Sequence, residues 1–273
     1  MTHAWVPVAP CDESCVRDDP VRFLGRIVRI VRGCWRTFLI FAVLPLMPFT
    51  AIPHPGQDRL VRHYSRLLLR CVGVRITMSD NAIRDVPGAL VVSPHISWAD
   101  VLVIWAVMPA TFVAKADMIK WPGIGQMARA LGAIPIDRTK LRPLPGVVAQ
   151  VTARLKSGRT VMTFPEGTSW CGLGYGPFRP AMFQAAIDAD RPVLPLRLSY
   201  HHRDGRLSTV PAFVGEDTLT QSVWRVVATR RTVVEIHVGA LQMPGTDRRE
   251  LARRCQEVVC GSVELQKEHE LAA

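Results

Sequence analysis

Lysine is scarce in this chain of 273 residues: five of its 34 basic residues are lysine and the other 29 are arginine. No HExxH and no paired CxxC spacing occurs, so no metal, and zinc least of all, is expected. The seven cysteines, at positions 11, 15, 34, 71, 171, 255 and 260, are an odd number and read as mostly reduced core or surface thiols of a cytosolic compartment. The absence of a G-x-S-x-G elbow argues against a serine hydrolase. There is no P-loop, and GLGYGP at 172–177 lacks both the last glycine and the preceding strand of a dinucleotide fingerprint. The apolar run Thr37–Ile52 has 16 residues and contains Pro45 and Pro48, short of the about 20 that a spanning helix needs. It starts too late and lacks a small-residue cleavage site, which disfavours a signal peptide. Acids are missing altogether between residues 20 and 57.

What is present is apolar and basic. Hydrophobic residues make up 48% of the chain, enough for a substantial core, and the net charge is +11. Such a chain is drawn to anionic surfaces. Residues 1–20 read as a flexible tail, and residues 21–72 as a helical, membrane-associated segment. Arg22, Arg26, Arg29 and Arg36 recur at helical spacing beside Trp35, with Phe23, Ile27, Ile30 and Val31 mainly between them. That is a basic amphipathic helix suited to anionic lipid. The Pro-broken run after it is expected to dip into one leaflet. A second basic face follows at Arg59, Arg62, Arg66 and Arg70. Together they suggest a peripheral or monotopic anchor at the cytoplasmic face of the cell membrane. In the plainer reading these helices merely cover the core, with arginines in water. Nucleic acid is not expected as a partner, because the basic residues concentrate beside an apolar run.

Residues 73–273 read as one catalytic domain. Short apolar runs at 89–93, 111–114, 132–137, 160–164, 192–200 and 233–239 suggest strands. Helical stretches at 97–108, 146–157, 181–189 and 247–268 separate or follow them. The alternation predicts an α/β fold, with a central, mostly parallel sheet flanked by helices. Such sheets bind ligands beyond the carboxyl ends of their strands. His95, Arg138 and Glu166 each lie just after a predicted strand.

His95 and Asp100, in SPHISWAD at 93–100, are a candidate base and its partner. Spacing alone proves little, since eight His and 14 Asp supply about 0.4 such pairs by chance. Ser97 and Asp100 also have capping-box-like spacing ahead of a helix. In that reading Asp100 serves only the helix start. If Ser97 caps the helix, His95 sits at the positive end of the dipole, which favours the neutral ring that a general base requires. FPEGT at 164–168 ends a strand in a turn that can nest an anion, or is an ordinary turn with an exposed Glu166. Arg138, in IPIDR, can fork onto a phosphate or simply pair with Asp137 at the surface.

Taken in order, HISWAD, GAIPIDR, FPEGT and PVLPL resemble the four blocks of the glycerolipid acyltransferases, specifically the bacterial 1-acylglycerol-3-phosphate acyltransferase (lysophosphatidate, lysophospholipid) family. The resemblance covers roughly residues 75–240. It implies a glycerolipid acyltransferase fold, His95 as the base that deprotonates an acceptor hydroxyl, and Asp100 as its orienting partner. It implies headgroup binding by Arg138, Glu166, Gly167, Thr168 and Arg179, and a pocket shaped by Pro195. The acyl donor would be acyl-CoA or acyl carrier protein, the acceptor a lysolipid, and neither cofactor nor metal is required. Many relatives continue FPEGT with Arg-Ser, whereas this chain continues with Ser169 and Trp170. That departure resembles the subgroup that includes lyso-ornithine lipid acyltransferases. A non-catalytic peripheral membrane-binding protein on the same fold is the alternative from another class.

Overall fold

The computed structural model describes residues 6–17, 23–79, 86–121 and 124–261. Its centre is a sheet of seven strands: β1 (Val74–Met78), β2 (Leu90–Val92), β3 (Thr111–Lys115), β4 (Ile134–Ile136), β5 (Val161–Thr163), β6 (Val193–His202) and β7 (Thr232–Val238), in the order β1-β7-β6-β2-β5-β3-β4. Only the β6–β7 pair is antiparallel; the other neighbours run parallel. The middle strands are short and wholly apolar or nearly so, as strands buried on both faces should be. Along β2, Leu90 and Val92 face one core and Val91 the other.

Helices cover both faces. On one lie α2 (Gln57–Val72), α3 (Ala99–Val107) and α7 (Leu219–Ala228), which bring Leu69, Val72, Val103, Ile104, Val226 and Val227 against Val91, Met162 and Leu196. On the other lie α5 (Leu144–Lys156), α6 (Ala181–Ala189) and α8 (Arg248–Cys260), with Val151, Leu155, Phe183, Leu251 and Cys255 against Leu90, Val161 and Val193. The short α4 (Ile124–Ala130) precedes β4.

Several expectations change in the fold. The closing helix ends at Cys260, because Gly261 turns to a φ of 74°, a left-handed stop that side-chain-bearing residues resist. Residues beyond 261 lie outside the described residues. β1, α4 and α7 were not expected. β1 is an edge strand with only one buried residue, so it has no apolar run to notice. α7 did carry a signal: Thr218 and Gln221 form a capping box at its start. The tail is not loose over residues 6–17. Cys11 is buried, Ala9, Cys15 and Val16 pack on the core, and the Arg17 amide donates to Thr209 Oγ1 at 2.8 Å.

The N-terminal helices also differ from expectation. α1 runs unbroken through Phe23–Val43, and the proline-containing stretch Leu44–Ala51 is a 3-10 segment. Pro45 and Pro48 remove the amides an α-helix would need there. No described helix is long and apolar enough to cross a membrane. α1 docks on α7 at Gly33, where a β-carbon would stand 2.7 Å from the Trp224 ring. Its arginines divide. Arg26 is exposed and Arg29 half-buried, while Arg22 lies outside the described residues. Arg36, expected at the lipid, turns inward instead. It donates to the carbonyls of Val227, Thr229 and Arg230 at 3.0, 2.6 and 2.9 Å, neutralising the negative end of α7. Burial lowers its pKa.

Arg36→Ala should therefore lower the unfolding free energy by roughly 1.5–3 kcal/mol, the worth of hydrogen bonds from a charged donor. Urea denaturation measures it. A change within about 0.5 kcal/mol, as for an ordinary surface residue, would place this guanidinium in solvent after all.

Candidate active site

Parallel strands deliver their ends to one edge. Val92 of β2 stands opposite Thr163 of β5 and Pro195 of β6, and Lys115 of β3 opposite Ile136 of β4. His95, Glu166 and Arg138 follow those ends by two or three residues, so residues far apart in sequence meet at the carboxyl rim.

The rim is organised by Asp100, which has no exposed surface. Its Oδ2 accepts from His95 Nδ1 at 2.9 Å, from the Ile96 amide at 2.8 Å and from the Ser97 amide at 2.9 Å. Its Oδ1 accepts from the Tyr200 hydroxyl at 2.6 Å. Ser97 Oγ in turn accepts from the Ala99 amide at 3.2 Å. Ser97 and Asp100 thus exchange bonds with the backbone at the entry to α3, and the same carboxylate holds the imidazole. The two readings of Asp100 coexist in one geometry. Tyr200 was missed, since nothing in its strand shows that its ring reaches across to α3. Burial and the Asp100 charge push its hydroxyl well above the usual range, so it remains a donor.

His95 is fixed on every side but one. Its ring stacks on Phe164 with centroids 4.1 Å apart and an interplanar angle of 19°. Its amide donates to Glu166 Oε2 at 2.8 Å, and its carbonyl accepts from the Trp170 amide at 2.7 Å. Nδ1 is taken by Asp100. Nε2 has no hydrogen-bond partner among the described residues, and the side chain keeps 20% exposure.

Glu166 lies deep beneath the rim. It is 2% exposed, and its second oxygen accepts from the Gly176 amide at 2.7 Å. Both oxygens are occupied by backbone, so the side chain ties the His95 loop to the 171–180 loop. Burial raises its pKa to about 8 against the pull of those two amides. Arg138 donates to the Gly167 carbonyl, and burial lowers its pKa. Gly167 has a φ of 76°, and Pro7 packs within 2.7 Å of where its β-carbon would be. The Arg179 amide donates to the Pro165 carbonyl at 3.0 Å, and its side chain passes beside Gly167. Thr168 is half-buried beside them. Pro195 stays inside the sheet, buried, its carbonyl accepting from the Gly239 amide at 2.9 Å. It stands opposite Val92, three residues before His95. Ser169 donates to the Phe213 carbonyl, and Trp170 covers Gly176.

The raised Glu166 pKa has a stability consequence. The folded state holds this proton above the usual carboxylate range, so the stabilisation is complete below about pH 4.5 and is lost as pH rises through about 8. Between those values the wild-type unfolding free energy should fall, relative to Glu166→Gln, by up to about 1.4 kcal/mol per pH unit. Denaturation series at pH 5, 6, 7 and 8 compare the two. Parallel curves would show that Glu166 is ionised throughout.

A sequence model of the Acyltransferase family matches residues 74–199, which hold all four blocks. The 1-acyl-sn-glycerol-3-phosphate acyltransferase of Neisseria meningitidis serogroup B is 31% identical over 181 residues, 66% of this chain and 71% of that one. The lyso-ornithine lipid O-acyltransferase of Pseudomonas aeruginosa is 30% identical over 210 residues, 75% of this chain and 78% of the other. The crystal structure of the 1-acyl-sn-glycerophosphate acyltransferase from Thermotoga maritima superposes with a TM-score of 0.63 at 18% identity, over 91% of this chain and 98% of that one, and shares the fold. The His95–Asp100 pair, the FPEGT turn and these likenesses converge: the chain is an acyltransferase and belongs to the family of the bacterial 1-acylglycerol-3-phosphate and lyso-ornithine lipid acyltransferases.

Proposed function

We propose that this enzyme moves a fatty acyl group from acyl-CoA or acyl carrier protein to the free hydroxyl of 1-acylglycerol-3-phosphate, giving phosphatidate, with His95 as general base. The observation that carries the reading is the His95 Nδ1–Asp100 Oδ2 bond of 2.9 Å. It commits Nδ1 to the carboxylate and leaves Nε2 to take a proton. Nε2 removes the proton of the acceptor hydroxyl as that oxygen attacks the thioester carbonyl. The tetrahedral intermediate collapses, the C–S bond breaks, and the departing thiolate takes the proton back from the imidazolium. Asp100 stabilises the cation formed in between. Thioesters are activated acyl donors, so neither a metal nor an acyl-enzyme is required. Arg138 and Arg179, both against Gly167, supply positive charge for the acceptor phosphate.

The enzyme works at a lipid surface as a peripheral or monotopic protein. Phe23, Leu24, Ile27, Val31, Trp35, Phe38 and Phe41 of α1 are all exposed, and Leu46, Phe49 and Ile52 continue the patch. A water-facing surface of that kind is rare, and lipid is a fitting cover. The basic residues beside it favour the anionic cytoplasmic leaflet.

A second acceptor is favoured by one local feature. Ser169 and Trp170 stand where many relatives have Arg-Ser, which removes a phosphate-binding charge and points to lyso-ornithine lipid.

His95→Ala should cut acyl transfer by about 10²–10⁴-fold while leaving vesicle binding intact. Retained turnover would overturn the role of His95. The acceptor is read by mass analysis of products from lysophosphatidate and from lyso-ornithine lipid, each offered with both donors. Phosphatidate as the main product supports the first reading. Acylated ornithine lipid in its place supports the second.

A further inference from the structure

The fold gathers three cysteines that the sequence scatters. Cys11, Cys15 and Cys171 place their sulfurs within 4.8 Å of one another, the one such group of candidate metal ligands among the described residues. Cys11 and Cys171 are buried and Cys15 is half-buried. Cys11 and Cys15 bracket a single 3-10 turn, Glu13–Cys15, whose start is capped by Asp12. The turn brings the two thiols to one side. The third arrives from the loop after FPEGT, 160 residues on from Cys11.

We propose that Cys11, Cys15 and Cys171 form a binding site for one thiophilic divalent cation of the zinc type, with the fourth position open on the Cys15 side. In a tetrahedral thiolate site, metal–sulfur bonds of about 2.3 Å set sulfurs about 3.8 Å apart, so the cluster needs only a modest contraction. The Cys171 amide already points at Cys11 Sγ at 3.4 Å, an N–H···S bond of the sort that supports a bound thiolate. Asp12 and Glu13, between the two N-terminal ligands, add negative potential for a cation. Binding replaces each thiol proton by a metal–sulfur bond and releases up to three protons, with no change of oxidation state. A disulfide is the competing outcome.

The site has a place in the enzyme's architecture. Cys171 follows Trp170, whose amide holds the His95 carbonyl, and the segment that carries Cys11 and Cys15 lays Pro7 on Gly167. A bound ion would fasten the N-terminal segment across the turn that carries Glu166 and Gly167.

The test uses the full chain, stripped with a chelator under reducing conditions and titrated with cobalt(II). The expected result is one equivalent bound, with thiolate-to-cobalt absorption in the near ultraviolet that zinc displaces. Zinc should also raise the thermal unfolding midpoint. Cys171→Ser should lose the absorption, and the exposed Cys34→Ser should keep it. Should Cys171→Ser fail to fold, as circular dichroism would reveal, Cys15→Ser at the half-exposed position replaces it. No thiolate absorption, absorption that survives these changes, or a disulfide between two of the three cysteines in the chain as purified would overturn the proposal.

Discussion

A carboxylate without access to water must replace its lost solvent with donors, and Asp100 finds four. Two are backbone amides just ahead of α3, one is the His95 ring and one is the Tyr200 hydroxyl. The loop after β2, the first turn of α3 and the neighbouring strand β6 therefore share one charge. Remove any donor and the buried charge is left short, at a cost of about 1–3 kcal/mol. This constraint makes the His95 geometry rigid. The imidazole is held by a group that the helix and the sheet hold in place for their own reasons.

Glu166 has a similar role on the neighbouring strand. Its two oxygens bind the His95 amide and the Gly176 amide, so the two loops at the rim move together. Arg138 closes a third link through the Gly167 carbonyl. The FPEGT turn is thus mostly internal wiring. Its carboxylate is turned to backbone amides, and the Arg138 guanidinium to the turn's own carbonyl. The plain reading of FPEGT as an ordinary strand-ending turn left Glu166 exposed. It did not allow for a later loop, 171–180, folding back over that acid.

Much of the sheet was legible. Six of its strands were short apolar runs, and apolar runs flanked by Gly and Pro are what doubly covered strands require. β1 escaped because an edge strand needs no such run. α7 escaped although Thr218 and Gln221 announced its start. The arginine spacing of α1 was visible and correctly helical, but periodicity says only that residues share a face. Which neighbour that face meets is a tertiary matter. Arg36 met carbonyls at and just beyond the end of α7.

Local order, then, came from the chain itself: the strand and helix periods, the Ser97–Asp100 cap, the turn at Gly167 and the four ordered blocks are all short-range patterns. The convergence of those blocks needed the parallel sheet, which carries ends distant along the chain to one rim. Only tertiary structure could add Tyr200 to Asp100, bury Glu166, or bring Cys171 beside Cys11. The physical reason is the same in each case. Hydrogen bonds and burial act over a few ångströms in space, and distance along the chain sets no limit on which residues the fold brings that close.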